Sequence, residues 1–183
     1  MINTAFSIPI FQYSVKDWEP NVKKKLLKSL VPYLSANTDF HDDGGGWAGN
    51  HKKPNYMNSV LDILEDSLIE FSSDLNHSRD QLVIRDMWYE KLNKYDYHEC
   101  HNHGAIGYSA CLYVHFNKQV HTPTKFHGPY LGFLNGDSLF FQPEVEEGDI
   151  ILFPSALRHE APINISDEAR IVISFNIKSP LWG

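Results

Sequence analysis

Three histidines in the second half of the chain have the spacing that a metal site requires. His101 and His103 are separated by one residue, and alternate residues of a β-strand point to the same side. The two imidazoles can therefore bind the same metal ion. A lone HxH pair is a weak signal, so the prediction depends on a third ligand, for which His159 is the candidate.

Arg170 indicates what such a metal site would bind. It begins a strand-like segment in which Arg170, Val172, Ser174 and Asn176 alternate with three isoleucines and a phenylalanine. Since the apolar face is core, the arginine is expected to point into a barrel interior, where a buried guanidinium needs an anion. A small dicarboxylate would supply one, because arginine can bind a carboxylate through two parallel hydrogen bonds.

These residues also have simpler interpretations. Arg170 can pair with Asp149 or Glu168, or lie in solvent at the start of its strand. His159 can be an ordinary loop histidine beside Glu160. The combination of an HxH pair, a distant histidine and a following arginine, all in one strand-rich region, favours a site over coincidence.

The predicted secondary structure changes from helices to strands along the chain. Residues 1–80 are predicted to be mainly helical, with one helix between about Pro20 and Pro32 and a second from about Tyr56 to Leu75. Residues 81–183 are predicted to form short strands separated by turns. This order indicates an α+β fold in a single domain, with a β-barrel or sandwich core supported by N-terminal helices. The strand segments are LVIRDMWYEKL, GYSACLYVHF, SLFFQP, DIILFP and RIVISFNI.

The composition argues against several classes of protein. The chain has 183 residues and a formal net charge of -7, and it lacks the run of roughly 20 apolar residues that a membrane helix needs. Nucleic acid is not an expected partner, because phosphate binding requires a basic face, and a membrane is not expected either. Only two cysteines, Cys100 and Cys111, and an N-terminus unlike a secretory signal indicate a reduced, cytoplasmic protein. The sequence does not determine the oligomeric state.

The C-terminal half resembles the 2-oxoglutarate/Fe(II)-dependent oxygenase superfamily. Its HxH pair, distant histidine and strand-borne arginine resemble the HxD…H…R pattern of these enzymes, and RHEAPINISDEARIVISFNI is similar to the closing segment of prolyl hydroxylases. A closer resemblance is to a group of small oxygenases of phages and bacteria. The matching motifs are Trp88-Tyr89, His101-Asn102-His103-Gly104, Gly148-Asp149, Phe153-Pro154, His159, Pro162, Arg170 and Ser174-Phe175-Asn176.

The resemblance implies a double-stranded β-helix, which is a jelly-roll or cupin-like barrel, that uses Fe(II), 2-oxoglutarate and O₂. It implies that His101 and His159 bind iron and that Arg170 binds the distal carboxylate of 2-oxoglutarate. Ser174 and Tyr113 are candidates for hydrogen bonds to that carboxylate. The expected reaction hydroxylates a substrate while 2-oxoglutarate is oxidatively decarboxylated to succinate and CO₂.

The second metal ligand departs from the superfamily pattern, which has Asp or Glu at the position of His103. We predict that His103 is nevertheless the ligand. The alternatives are a more distant acid or Glu99, which shares the strand face of the pair if the strand extends back. The residues that alternate with these positions, His98, Cys100 and Asn102, are expected to face away.

Two other functions and the substrate remain open. A cupin-like three-histidine metalloenzyme would work without 2-oxoglutarate and would give Arg170 no special role. A non-catalytic ligand-binding barrel would leave the histidines incidental, but it would not explain polar residues at inward-facing positions. The substrate can be a small molecule or a peptide. Candidate residues of a substrate cleft are Trp47, Tyr89, His115, His127 and Tyr130, and Asp42 and Asp43 are candidates for attracting a basic substrate.

Overall fold

The computed structural model describes residues 7–34, 40–41 and 56–182, which contain two α-helices and ten β-strands. The helices are α1 (Lys23–Leu34) and α2 (Met57–Asp74). Neither helix in these ranges combines the length and apolar character of a membrane span. The strands are β1 (Phe11–Ser14), β2 (Phe40–His41), β3 (Val83–Leu92), β4 (His98–His101), β5 (Tyr108–His115), β6 (Lys125–Leu131), β7 (Ser138–Phe141), β8 (Asp149–Pro154), β9 (His159–Ala161) and β10 (Arg170–Lys178).

The strands form two antiparallel sheets with the winding of a double-stranded β-helix. The larger sheet has the order β1-β8-β5-β10-β3-β2, and the smaller has the order β4-β9-β6-β7. From β3 onward the chain crosses from one sheet to the other at every connection except the β6–β7 hairpin. This is how a jelly roll is wound. The fold class predicted from the sequence is therefore confirmed.

The helices pack on the outer face of the larger sheet because α2 has one continuous apolar side. Its buried residues recur every three or four positions, which places them along one face of a helix. They share a core cluster with the apolar face of β10. The principal members from the two elements are Val60, Leu64, Leu68, Phe71, Ile171, Ile173, Phe175 and Ile177.

The space between the two sheets holds a second, smaller core cluster. Alternation along β10 sends Val172 into this interior, while Ile171 and Ile173 point to the helices. The division of β10 into two faces, predicted from the sequence, is thus confirmed. The other buried members of the interior cluster are Cys111, Tyr113, Phe116, Phe126, Val145, Ile151, Phe153 and Leu157.

The prediction for the N-terminal region missed two strands, β1 and the two-residue β2. β1 pairs with β8 at the edge of the larger sheet, with Phe11 opposite Leu152. The segment is only four residues long, so its alternation is too short to stand out from the sequence around it. The helix predicted from about Tyr56 to Leu75 is confirmed, and α1 continues two residues beyond Pro32.

Candidate active site

Three imidazoles converge between the sheets. One ligand atom from each of His101, His103 and His159 lies within 4.8 Å of the others. His101 and His159 are direct partners in the β4–β9 pair, and their ring centroids are 4.4 Å apart. His103 lies beyond the end of β4, where its backbone N–H donates to the carbonyl oxygen of Ser155. Imidazole nitrogens bind zinc-like ions at about 2.0–2.1 Å, so small side-chain rotations would let one ion contact all three.

Backbone carbonyls fix the orientation of two of the rings. Nδ1 of His101 is 2.7 Å from the carbonyl oxygen of Glu99, and Nδ1 of His159 is 2.9 Å from that of Leu157. A carbonyl oxygen can only accept a hydrogen bond, so each Nδ1 carries the proton and each Nε2 keeps its lone pair. Hydrogen bonds of this kind set the tautomer of metal-binding histidines. The two Nε2 atoms are therefore the available ligand atoms.

The site keeps its histidines neutral. Burial, together with the neighbouring imidazoles, lowers the pKa of His103 to about 4 and that of His159 to about 3. Burial also lowers the pKa of His101, although its hydrogen bond to Glu99 opposes this. Burial disfavours the charged form of an imidazole. At neutral pH the three rings would bind a metal ion without first losing a proton.

Arg170 lines the same cavity as the three imidazoles and is only 2% exposed. Its Nη2 donates to Oγ1 of Thr124 at 3.3 Å, while Nε and Nη1 are shielded from solvent and have no hydrogen-bond partner. Within the described part of the chain, Arg170 makes no ion pair with Asp149 or Glu168, the partners considered from the sequence. A buried guanidinium with unpaired donors is costly unless an anion binds to it. The cavity therefore suits a carboxylate ligand.

Ser174 and Tyr113 are placed differently with respect to this cavity. Ser174 is half-buried and lines it. The Tyr113 hydroxyl donates to Oγ1 of Thr124 and accepts from the Thr124 backbone N–H, so both its hydrogen bonds are made within the protein. Its ring lies 5.7 Å from Cζ of Arg170. Tyr113 thus contacts the arginine with its ring face.

His98 and Glu90 also line the cavity, and the sequence did not point to either of them. The His98 ring stacks on the His101 ring, with centroids 4.1 Å apart, so the expectation that His98 faces away is wrong. The cause is a register shift: His98 pairs with Ala161 and His101 with His159, so three steps on β4 match two on β9. Such a bulge breaks the alternation of strand faces. For Glu90 the sequence did hold one signal of a functional role, because a charged residue within a predicted strand is unusual.

The Glu99 carboxylate lies outside the site. Its side chain is exposed, and only its backbone carbonyl contacts His101. The three-histidine cluster therefore contains no Glu99 oxygen. Among the described residues, two acidic residues line the cavity: Glu90, with 5% of its surface exposed, and Glu160, whose carboxylate pairs with Lys125.

The residues suggested for a substrate cleft do not line this cavity where the structure describes them. Tyr89 is fully buried in the cluster beneath the helices, because it alternates with the inward-facing Trp88 and Glu90. His115 lies at the end of β5, and His127 and Tyr130 lie on β6. Trp47, Asp42 and Asp43 lie outside the described residues.

Comparisons with known proteins agree with this geometry. Residues 86–176 match a family model described as "Putative 2OG-Fe(II) oxygenase". AviO1 from Streptomyces viridochromogenes Tue57 has a similar structure, with a TM-score of 0.68 and 10% identity over 96% of this chain and 92% of its own. A Pseudomonas putida prolyl-4-hydroxylase gives a TM-score of 0.57 and 12% identity, over 95% of this chain and 88% of its own.

A third similar structure is HygX from Streptomyces hygroscopicus, solved with nickel and 2-oxoglutarate bound. Its TM-score is 0.63 at 10% identity, over 94% of this chain and 83% of its own. At such low identities the likeness shows the fold alone. A comparison with curated protein sequences finds no match.

The matched segment carries all three histidines and Arg170, and the chain belongs to the 2-oxoglutarate/Fe(II)-dependent oxygenase superfamily, a class of oxidoreductases. The cofactors of this family, Fe(II), 2-oxoglutarate and O₂, are the ones expected from the sequence. The donor set fits them: three neutral imidazoles for the metal and an unpaired guanidinium for a carboxylate.

Proposed function

We propose that this chain is a Fe(II)- and 2-oxoglutarate-dependent dioxygenase that hydroxylates a small-molecule or peptide substrate, with release of succinate and CO₂. The observation that carries the proposal is the cavity shared by three imidazoles and the unpaired donors of Arg170. A metal-binding barrel without 2-oxoglutarate would have no use for a buried guanidinium that lacks an anion. The bound ligands of the similarly folded HygX support the same assignment.

The three histidines would hold the metal. His101 and His159 would bind through Nε2, because their Nδ1 atoms donate to backbone carbonyls. His103 would take the position that usually belongs to a carboxylate. Bound Fe(II) supplies the redox chemistry that couples O₂ activation to decarboxylation of the cosubstrate. Because all three ligands are neutral, the metal keeps its full positive charge and favours a dianionic cosubstrate.

Arg170 would bind the distal carboxylate of 2-oxoglutarate through its unpaired donors, and the Ser174 hydroxyl would add a hydrogen bond. Charge-assisted hydrogen bonds of this kind are about twice as strong as neutral ones. Tyr113 and Thr124 would position the guanidinium, the first by ring contact and the second by the bond from Nη2. Tyr113 would then act on the cosubstrate only through Arg170.

An anaerobic titration tests the proposal. Metal-free protein is given Fe(II) and then 2-oxoglutarate, and the visible charge-transfer band of a chelated keto acid is recorded. We expect the band in the wild type, its loss in His159→Ala, and a need for far more 2-oxoglutarate in Arg170→Ala. Glu99→Gln is the matched control, because this exposed carboxylate lies near the site but outside it.

The outcomes separate the alternatives. Iron binding without the band at any concentration of 2-oxoglutarate would contradict the cosubstrate assignment and indicate a three-histidine metalloenzyme of another kind. Failure of the wild type to bind iron would contradict the enzyme assignment altogether. Once the band is established, succinate formation in the presence of O₂ becomes the assay for substrates.

A further inference from the structure

The outer face of the smaller sheet carries a second group of ligand-type side chains. Cys100 precedes His101, Glu160 follows His159, and His127 follows Phe126. Neighbouring strand residues point to opposite sides of a sheet. Phe126 belongs to the interior cluster and His159 to the inner site, so their neighbours His127 and Glu160 face outward. Cys100 is placed with these two side chains by distance, because the bulge in β4 breaks the alternation of faces on that strand. Each of the adjacent strands β4, β9 and β6 therefore contributes one of the three side chains.

These three side chains are close enough to share an ion. The Cys100 sulfur, one ring nitrogen of His127 and one carboxylate oxygen of Glu160 all lie within 4.8 Å of one another. Nε2 of His127 is shielded from solvent and has no hydrogen-bond partner, although it lies 3.5 Å from Oε2 of Glu160. A shielded imidazole nitrogen directed at a carboxylate and a thiol is unsatisfied unless a cation or a proton joins them.

Lys125 orients the Glu160 carboxylate. Its Nζ lies 3.3 Å from Oε1, the oxygen that does not face His127. Oε2 is thereby left for the cluster. If Cys100 binds as a thiolate, it and the Glu160 carboxylate carry two negative charges, which a divalent cation balances. Lys125 orients the carboxylate, as hydrogen-bonded partners of metal ligands commonly do.

We propose that Cys100, His127 and Glu160 form a second metal site, for a divalent cation of the zinc class, back to back with the three-histidine site across one sheet. A set of one sulfur, one nitrogen and one oxygen ligand suits zinc or cobalt, whereas magnesium and calcium prefer oxygen alone. Three protein ligands leave a fourth tetrahedral position for water. The assignment depends on ligand chemistry and on the distances between the three side chains.

Occupation of the outer site would affect the inner one mechanically. Cys100 and Glu160 are the sequence neighbours of His101 and His159, and a metal between them would link β4 to β9. That linkage would restrain the two strands whose pairing sets the separation of the inner histidines. The inference does not depend on the proposed reaction, because it concerns side chains on the opposite face.

Cobalt(II) is the probe that distinguishes the two sites. A thiolate ligand gives Co(II) an intense near-ultraviolet charge-transfer band, which an all-histidine site cannot produce. Cys100 is grouped with His127 and Glu160, whereas Cys111 lines the inner cavity without belonging to its three-histidine cluster, so Cys100 is the expected source of the band and Cys111→Ser is the control. We expect the wild type to bind two equivalents of Co(II) and to show the band.

Variants assign the band to its ligands. Cys100→Ser should lose the band and bind one equivalent, which also shows that the inner site is still folded. Cys111→Ser and His101→Ala should keep the band. Residues that only hydrogen-bond to a metal ligand change metal affinity roughly 10- to 100-fold. His127 is proposed as a direct ligand, so His127→Gln is expected to lower the Co(II) affinity of the outer site at least about tenfold. Absence of the band in the wild type, or a band that survives Cys100→Ser, would overturn the proposal, whereas one equivalent with the band would contradict only the inner site.

Discussion

Nδ1 of His98 lies 2.7 Å from Oε1 of Glu90, so a buried carboxylate holds one imidazole against the ring of the proposed ligand His101. The Glu90 side chain is 6% exposed, and His98 is 25% exposed. Both residues line the cavity of the three imidazoles. The pair places a carboxylate beside a ligand set that has none, and the His98 ring stacks on that of His101.

Glu90→Gln is expected to weaken metal binding at the inner site. The change removes a buried negative charge near a divalent cation and loosens the support of His101. Partners of this kind typically contribute roughly 10- to 100-fold to metal affinity, and we expect a loss at the lower end, about tenfold. Anaerobic calorimetry with Mn(II) measures it, with Glu99→Gln as the control. Equal affinities of Glu90→Gln and the wild type would show that the carboxylate has no part in metal binding.

The identity of the second metal ligand can be decided with a pair of variants. His103→Ala should weaken Fe(II) binding by more than the roughly 10- to 100-fold typical of outer partners, because it removes a direct ligand. Glu99→Gln should bind like the wild type, since its carboxylate is exposed. His103→Asp should restore binding by creating the usual two-histidine, one-carboxylate set. Loss of iron in Glu99→Gln, with His103→Ala unaffected, would reverse the assignment.

Arg170→Met is expected to weaken 2-oxoglutarate binding without destabilising the metal-free protein. Hydrogen bonds to charged groups contribute about 1.5–3 kcal/mol, which corresponds to roughly 10- to 150-fold in affinity. Removing a buried charge that lacks an anion should leave the free energy of unfolding unchanged or raise it. Cosubstrate titration and urea denaturation measure the two effects. A loss of stability of about 3 kcal/mol or more would mean that the arginine is already paired in the free protein.

Strand and helix periodicity explain how much of this site could be predicted. Alternation along β10 correctly placed Arg170 and Ser174 inside and the isoleucines outside. The same rule failed at His98, because a bulge in β4 adds a residue that no local pattern announces. The alternation rule also placed His103 on the same strand as His101. In the structure His103 lies past the end of β4, and its backbone N–H donates to the carbonyl oxygen of Ser155.

The residues that sequence reasoning missed act through contacts between distant segments. Thr124 joins the site because its hydroxyl accepts hydrogen bonds from Arg170 on β10 and Tyr113 on β5. Glu90 joins it because β3 and β10 are paired, with Val172 opposite Glu90. Such contacts depend on the register of strands far apart in sequence, and composition or spacing alone cannot supply that register.

The packing of α2 against the larger sheet gives a prediction about stability. Leu68→Ala removes a fully buried side chain and should lower the free energy of unfolding by about 2–5 kcal/mol. Ile69→Ala, one position along the helix, changes a side chain that is 48% exposed and should cost less than about 1 kcal/mol. Urea denaturation of the two variants compares them. Similar losses would show that this helix does not cover the sheet as described.

The neutral histidines predict how the metal-free protein responds to acid. The pKa of His103 is lowered to about 4 and that of His159 to about 3, while an unfolded chain has histidines near 6.5. Below pH 6.5 the unfolded chain therefore binds protons that the folded chain does not. The free energy of unfolding should fall as the pH drops from 6.5 towards 4, by up to about 1.4 kcal/mol per pH unit for each histidine.

His159→Gln isolates this effect from that of the carboxylates, which also titrate in acid. The variant lacks one of the histidines whose pKa is lowered, so its stability should fall less steeply than that of the wild type between pH 6.5 and 4, and the two slopes should agree above pH 7. Urea unfolding at a series of pH values gives both curves. Parallel curves throughout would mean that His159 is as easily protonated in the folded protein as in the unfolded chain, which its burial at 7% exposure argues against.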